Sequence, residues 1–194
     1  MNMNKTNPLL LDIPDYFESE RLIIRAPKQG DGDALNEAVK ESFDQLRPWM
    51  PWAQEIPALV DSESVVRRAH LKFMERTDLM LLLILKKSGQ LVGCSGLHRI
   101  DWEARKFEIG YWVRTSFSKQ GLITEAADAI TDYAIHELQA NRIEIRCDER
   151  NTQSAKVAQR LGFTLEGILR NDASGTDGTL RSTKVFSKVR GIEF

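Results

Sequence analysis

Two neighbouring runs decide how this chain folds: Phe107-Glu108-Ile109-Gly110-Tyr111-Trp112-Val113, and then Gln120-Gly121-Leu122-Ile123-Thr124-Glu125-Ala126. The first alternates as a strand does, with Phe107 and Ile109 on one face and Glu108 on the other. The second opens an apolar helical stripe. A glycine between a strand and a helix start predicts an anion-binding loop, because the first amides of a helix lack intrahelical partners and carry partial positive charge.

The apolar periodicity of the whole chain predicts a mixed α/β sheet with helices packed on it. Residues 1–17 are expected to form a mobile leader, and residues 18–194 a single domain. The expected strands are 20–26, 79–85, 91–97, 106–113, 142–148, 163–169 and 180–189, and the expected helices are 33–43, 62–76, one after Gly121 and one after its N-cap Asn151.

Composition argues against nucleic-acid, membrane and metal-binding roles. The chain has 194 residues, 42% of them apolar, and a net charge of −1, so bulk electrostatic binding to nucleic acid is not expected. No apolar run has membrane-spanning length, and the first residues lack the apolar core of a signal peptide. Cys94 and Cys147 lie in strand-like runs and are expected to be buried reduced thiols of a cytosolic protein. The three histidines form no metal-ligand spacing with them.

The glycine loop resembles the pyrophosphate loop of the GNAT superfamily of acetyl-CoA-dependent N-acetyltransferases. That pattern, Q/R-x-x-G-x-G/A, falls on Ser118, Gly121 and Ile123, so only the central glycine matches. A second segment, from Asn151 to Phe163, is similar to the N-x-x-S-x-x-V-x-x-x-L-G-F segment of the same superfamily.

Further segments resemble the Rim-like branch, the ribosomal-protein N-terminal acetyltransferases and their relatives. They are Leu46-Arg47-Pro48-Trp49-Met50-Pro51-Trp52, the pair 96–101 and 108–112, and Glu166-Gly167-Ile168-Leu169-Arg170. The matches follow the family order over about residues 20 to 189. Ordered agreement of this kind is more specific than any one motif.

The resemblance implies a GNAT-like acyl-CoA N-acyltransferase fold, with a central, mostly antiparallel sheet and flanking helices. Two parallel strands, ending at Val113 and at Asp148, are expected to splay apart, with the pantetheine arm of acetyl-CoA between them. A backbone amide near Tyr111 to Val113 is expected to stabilise the oxyanion. The expected acetyl-CoA contacts are Tyr111, Trp112, Val113, Ser118, Lys119, Gln120, Gly121, Leu122, Ile123, Thr124, Asn151 and Ser154.

Ser154 is the first candidate catalytic residue. Behind the N-cap Asn151, it shares a helix face with Ala158 and Leu161. Its hydroxyl could satisfy helix-end amides. The resemblance instead places that hydroxyl beside the CoA sulfur, as a donor to the departing thiolate. Asn151 would cap the helix in either case and could also contact the pantetheine arm.

Glu108 is the candidate general base, acting through water. The competing interpretation is a solvated strand carboxylate or an arginine partner. Asp172 and solvent are the alternative bases. An α-amino group has a pKa of about 7.7–8.0 against about 10.4 for lysine, so a protein N-terminus needs only a weak base.

Trp49, Trp52 and His98 are candidate contacts to the acceptor. The two tryptophans stand in a proline-rich loop, where they either anchor the loop or line a binding cleft. His98 stands at a strand end, either as a hydrogen-bonded structural residue or as a substrate contact.

With the resemblance, these residues predict a cytoplasmic N-acetyltransferase that uses acetyl-CoA and no metal to acetylate a primary amine, at the N-terminus of a ribosomal or other protein. Two alternatives stay open. One is a small-molecule N-acetyltransferase acting on a polyamine, an amino acid or an antibiotic. The other is a CoA-binding module without turnover, because Ile123 replaces a small residue of the loop. Neither a nucleic-acid nor a membrane partner is expected, and the resemblance allows a homodimer.

Overall fold

A central sheet of eight strands, in the order β1-β2-β3-β4-β5-β6-β8-β7, organises the computed structural model, which describes residues 7–194. Neighbouring strands are antiparallel except for the parallel pair β5 and β6. The mixed, mostly antiparallel sheet predicted from the sequence is therefore confirmed. The strands are β1 Tyr16–Glu18, β2 Leu22–Arg25, β3 Leu79–Leu85, β4 Leu91–Asp101, β5 Lys106–Val113, β6 Arg142–Asp148, β7 Thr164–Ser174 and β8 Leu180–Val189, and the α-helices are α1 Gly32–Leu46, α2 Leu59–Met74, α3 Leu122–His136 and α4 Thr152–Arg160.

Helices lie on both faces of this sheet. On one face α3 and α4 build the larger core, in which Ile130 and Ala158 join Phe107 and Ile143. On the opposite face α1 packs on β4 and α2 on β3, around a smaller core that includes Leu82. In the described part of the chain this arrangement leaves most of β6, β8 and β7 without a helix over the second face.

The parallel strands β5 and β6 pair over a short stretch. Residues 106–108 of β5 lie opposite residues 142–144 of β6. Beyond them, β5 runs on to Val113 and β6 to Asp148 without pairing to each other. The strands diverge where the sequence predicted a splay.

The amino-terminal segment differs from the expected mobile leader of residues 1–17. Residues 1–6 lie outside the described residues. Within the rest of the segment the edge strand β1 begins, and the Phe17 ring stacks on Tyr133 of α3 at 4.5 Å between centroids. Local periodicity did not indicate these contacts, because they come from a helix far along the chain.

Two strands run further than their sequence pattern indicated. β4 continues to residue 101 and β7 to residue 174, beyond the predicted ends at 97 and 169. Pairing shifts in both extensions, and Arg99 and Asn171 there have positive φ angles of 46° and 52°. Bulges break the alternation on which the prediction relied, and they also re-aim side chains.

We predict that Phe17→Ala lowers the free energy of unfolding by about 2 kcal/mol, because a half-buried ring loses its stack on Tyr133. Urea unfolding measures the change. The control is Leu10→Ala in the same segment, where the side chain is 77% exposed and the expected loss is below about 0.5 kcal/mol. A loss in Phe17→Ala as small as that in Leu10→Ala would show that the Phe17–Tyr133 stack does not stabilise the fold.

Candidate active site

Main-chain groups of β5 line the gap between β5 and β6. The Arg114 amide donates to the Val92 carbonyl of β4 at 2.7 Å. Because amide directions alternate along a strand, the amides of Tyr111 and Val113 point away from β4 and into the gap. An extended pantetheine arm can pair with such an unpaired strand edge, as added peptide strands do. The Trp112 ring, by contrast, packs against the smaller core on the second face.

The loop between β5 and α3 has the backbone of an anion site. Gly121 is the N-cap of α3 and adopts the left-handed conformation, with φ of 77°, while Lys119 also has a positive φ of 60°. The first hydrogen bond of the helix runs from the Glu125 amide to the Gly121 carbonyl at 3.0 Å. The amides of residues 122–124 therefore have no intrahelical acceptor and can meet phosphate oxygens. These features fit the pyrophosphate of acetyl-CoA.

Side chains from two distant elements hold this loop. Glu41 of α1 accepts from Arg114 Nε at 2.5 Å and from the Ser116 amide at 2.8 Å. Arg21 donates to the Gln120 carbonyl at 3.0 Å and pairs with Glu125, in the first turn of α3, at 2.6 Å. The loop shape is thus set before any ligand arrives.

The remaining predicted loop residues divide into two groups. Lys119 and Gln120 are exposed, as expected for residues that meet a ligand from solvent. Leu122 is buried, and Ile123 packs against the larger core. The bulk of Ile123 is consequently turned away from the loop surface, which removes the steric objection to phosphate binding. Ser118 and Thr124 are half-buried at the two ends of the turn.

Ser154 lies across the gap from β5. Asn151 Oδ1 accepts from the Ser154 amide at 3.0 Å, so the helix cap is Asn151 and the Ser154 hydroxyl is not needed for capping. The Tyr111 hydroxyl lies 3.0 Å from the Ser154 carbonyl and 3.1 Å from Ser154 Oγ. Burial raises the pKa of Tyr111 to about 12, so its hydroxyl stays protonated and donates to the Ser154 carbonyl. This contact holds the start of α4 against β5 and leaves Ser154 Oγ at the edge of the gap.

Cys147 is a neighbour of Ser154 that the sequence did not single out for the site. Burial raises the pKa of its thiol, and a hydrogen bond with Ser154 opposes this effect. The residue is buried, as predicted, yet it also lines a cavity on the second face. Cys147 lies near the end of β6, beside the gap, so it contacts Ser154 on one face of the sheet and the cavity on the other.

A polar cavity of about 280 Å³ lies on the second face, next to the gap. Both candidate bases, Glu108 and Asp172, line it. Arg99 donates to Glu108 at 3.0 Å, and Arg146 donates to Asp172 at 3.0 Å. The sequence predicted two alternative carboxylate bases, Glu108 in a strand and Asp172 beyond the predicted strand end at 169, and the fold brings them to one cavity.

Glu108 is the better-shielded carboxylate of the two. Its side chain is 16% exposed, against 29% for Asp172. Burial raises the pKa of Glu108, while Arg99 and Arg146 lower it and the neighbouring Glu144 raises it further. The net effect is upward, toward the range in which a carboxylate can accept a proton near neutral pH.

The predicted acceptor contacts border the same face. Trp52 is 54% exposed, and the centroid of its ring lies 6.1 Å from that of Trp112. Trp49 is half-buried in the same loop. His98 lies opposite Glu108 in the β4–β5 ladder, with its Nδ1 2.8 Å from Asp78 Oδ2. The structural and substrate-binding interpretations of these residues are both compatible with their positions.

Four further residues that line the cavity were not among the site residues predicted from the sequence: Arg99, Arg146, Arg181 and Thr183. Alternation along β6 could have placed Arg146 on the face opposite Ile143 and Ile145. No local pattern identifies Arg99, because it lies in a bulge of β4. None identifies the β8 residues Arg181 and Thr183 either, because their neighbours in the cavity belong to other strands.

Within residues 7–194, no group of three or more His, Cys, Asp and Glu side chains is arranged to hold a metal ion. No helix in that described range is long and apolar enough to cross a membrane.

Comparison with known proteins places this site in a family. The family model described as an acetyltransferase (GNAT) domain matches residues 21–164. The chain belongs to the GNAT acetyltransferase family. Acetyl-CoA is accordingly the acetyl donor of this GNAT enzyme, and the gap and the glycine loop have a geometry that fits it.

Two curated relatives of this GNAT member align over most of its length. YdaF of Bacillus subtilis (strain 168), provisionally named a ribosomal N-acetyltransferase, is 30% identical over 155 residues, 79% of this chain and 83% of YdaF. The ribosomal-protein-serine acetyltransferase of Escherichia coli (strain K12) is 28% identical over 152 residues, 78% of this chain and 84% of that protein. The solved structure of RimL, ribosomal L7/L12 alpha-N-protein acetyltransferase, in complex with coenzyme A has a TM-score of 0.82 at 23% identity, over 91% of this chain and 97% of that one. That structure shows the same fold.

We predict that Gly121→Val removes most of the rise in melting temperature that acetyl-CoA produces, because the valine side chain strains the left-handed N-cap and reshapes the amide cradle. Gly89→Val is the matched control, since Gly89 has a similar φ of 72° with nothing near its missing Cβ and lies in the β3–β4 turn. Both variants should melt lower without ligand. A full acetyl-CoA response in Gly121→Val would refute the assignment of the loop.

We also predict that Ser154→Ala lowers kcat and kcat/KM together, by about tenfold or more, because it removes a hydrogen bond to the developing thiolate. Stability should change little, since Asn151 still caps α4. Thiol release measures the rate, and Gln153→Ala, at an exposed position in the same turn, is the control. An unchanged kcat would leave Ser154 without a catalytic role.

Proposed function

We propose that this GNAT enzyme acetylates the α-amine at the N-terminus of a protein, of the ribosomal-protein type. One observation carries the proposal: Ser154 and Glu108 approach the gap between β5 and β6 from opposite faces of the sheet. Ser154 borders the face of α3 and α4, where the glycine loop lies. Glu108 lines the cavity of the other face. The donor and the acceptor can therefore enter from opposite sides and meet in the gap.

The named relatives support the choice of acceptor. The Escherichia coli protein is named for acetylating a ribosomal-protein serine, and it covers most of this chain. The cavity next to Glu108 is small and open at the surface, which suits the first residues of a peptide. An α-amine has a lower pKa than a lysine side chain and therefore needs a weaker base. A single carboxylate that is paired with an arginine, as Glu108 is, can supply such a base.

The side chains would divide the chemistry as follows. Bound acetyl-CoA supplies an acetyl group activated as a thioester. Glu108 accepts the proton of the amine, directly or through water, with its basicity raised by burial. The amides of Tyr111 and Val113 orient the donor and stabilise negative charge on the carbonyl oxygen. Ser154, held by the protonated Tyr111 hydroxyl, donates to the departing sulfur.

We further propose a cytoplasmic enzyme that forms a homodimer. Two observations support this. Cys94 and Cys147 are free and buried, as thiols in a reducing compartment commonly are. The hairpin of β7 and β8 carries exposed apolar side chains along an edge of the sheet: Leu165, Ile168, Leu169 and Leu180. Light scattering after size exclusion tests the assembly, since a monomer at micromolar concentration would refute it.

The acceptor class is tested by measuring thiol release with N-terminal peptides, polyamines, amino acids and aminoglycosides side by side. Preferential turnover of the peptides is expected. Turnover of one small-molecule class alone would identify a small-molecule enzyme. Binding of acetyl-CoA without release of thiol by any acceptor would identify a non-catalytic module.

We predict that Glu108→Gln lowers kcat/KM for a peptide about tenfold between the raised pKa of Glu108 and pH 8, because a base is needed while the amine is protonated. Below that pKa the wild-type carboxyl is itself protonated, so the two enzymes should converge. Above about pH 8 the amine loses its proton unaided, and the deficit should shrink.

Asp172→Asn, measured over the same pH range, is the control for this experiment. It removes the other carboxylate of the cavity and breaks the pair with Arg146. Loss of rate at low pH in Asp172→Asn alone would assign the base to Asp172. Unchanged profiles in both variants would assign it to solvent.

A further inference from the structure

The cavity beside Glu108 contains more positive than negative groups. Three guanidinium groups, of Arg99, Arg146 and Arg181, face two carboxylates, of Glu108 and Asp172. Two of the arginines are occupied, because Arg99 pairs with Glu108 and Arg146 with Asp172. Within residues 7–194 the Arg181 guanidinium makes no hydrogen bond or ion pair, although its charge helps to lower the pKa of the nearby Asp148. The excess positive charge of the cavity lining is therefore on Arg181.

Hydrogen-bond donors in the same cavity also lack acceptors. Thr183 is 4% exposed, yet its Oγ1 has no hydrogen-bond partner within residues 7–194. Arg146 Nε is likewise buried and unpartnered in that range, although one Nη of the same side chain reaches Asp172. Buried polar atoms in folded proteins are nearly always hydrogen-bonded, so unpaired donors around one cavity indicate an acceptor supplied by a ligand.

Two strands that border the cavity have an irregular backbone beside it. Arg99 itself adopts the left-handed conformation within the bulge of β4. Asn171, directly before Asp172, does the same within the irregular part of β7. Such conformations are uncommon for residues other than glycine and concentrate at functional sites. Here they aim one charged side chain from each strand into the cavity.

From these observations we infer that the cavity binds a carboxylate of the acceptor, with Arg181 and Thr183 as specificity-determining residues. The inference rests on the proposed function and narrows its substrate: a peptide with an acidic side chain at its second residue. The volume of about 280 Å³ lies just below the range of about 300–1,000 Å³ typical of small-molecule sites, which favours a short peptide segment. Glu108 lines the same cavity, so the amine and the carboxylate lie within a few residues of each other.

A pair of matched peptides tests the inference. One begins Ser-Asp and the other Ser-Asn, with identical following residues. The wild-type enzyme should acetylate the Asp peptide with a kcat/KM about tenfold higher or more, through a lower KM, as expected for hydrogen bonds to a charged group. The preference should shrink at high salt, since part of it is electrostatic.

Two variants locate the effect. Arg181→Gln removes the free guanidinium, and Thr183→Val replaces the hydroxyl by a methyl group of the same shape. Both should abolish or reduce the preference for Asp while leaving turnover of the Asn peptide and the melting response to acetyl-CoA unchanged. Arg170→Gln is the matched control, because Arg170 is an exposed arginine of the same hairpin that does not line the cavity.

The outcomes separate this inference from the proposed function. Equal turnover of the Asp and Asn peptides overturns the carboxylate site and leaves the protein acceptor intact. An Asp preference that survives both variants overturns the roles of Arg181 and Thr183. Acetylation of free aspartate or glutamate, with no peptide turned over, sustains the carboxylate site and overturns the protein acceptor. Turnover of polyamines alone overturns both.

Discussion

The short pairing between β5 and β6 is the constraint on which the rest of the structure depends. Three residues on each strand hold the two together, and the strands then separate. The separation is bridged by the Tyr111 hydroxyl, which reaches Ser154 at the start of α4. Unpaired main-chain groups cost free energy unless they find partners. The open edge of β5 is therefore a site that a ligand completes.

An ion network lies on the residues of β6 that pair with β5 and connects them to β7. Arg142 donates to Glu144 at 2.7 Å and to Glu166 of β7 at 2.5 and 2.7 Å. The hydrogen bond from Arg142 and another from Ser187 lower the pKa of Glu166 to about 2. Glu166 is 41% exposed, so solvent screens much of this interaction, and its role is to set geometry more than stability.

The gap joins two faces of opposite chemistry. On the face of α3, a left-handed glycine and free helix amides form a cradle for anionic phosphates. On the other face, ion pairs surround carboxylates, and the missing helix leaves a cavity open to solvent. Burial outweighs the neighbouring arginines at Glu108, so that its pKa rises even beside two positive charges. An amine beside the Glu108 carboxylate and the thioester of acetyl-CoA can thus meet in the gap. Each ligand then reaches the gap from its own face of the sheet.

The sequence by itself determined most of the helices and strands, and it located the loop and the residues that are candidates for binding the donor. Alternation along β5 and β6 located those strands, and the glycine before α3 and the Asn151 cap located the helix starts, because strand faces and helix ends depend on neighbouring residues. The candidates Ser154 and Glu108 followed from those elements together with the family resemblance.

Only the tertiary structure decided the lining of the cavity beside Glu108 and the packing of the amino-terminal segment. Arg99, Arg146, Arg181 and Thr183 come from three strands and meet in one cavity through long-range pairing and two bulges, which no local pattern encodes. Phe17 packs because Tyr133 of α3 is brought to it. Local propensities specify which residues form a strand or helix, whereas contacts between distant segments exist only after the sheet has assembled, and the cavity beside Glu108 consists of such contacts.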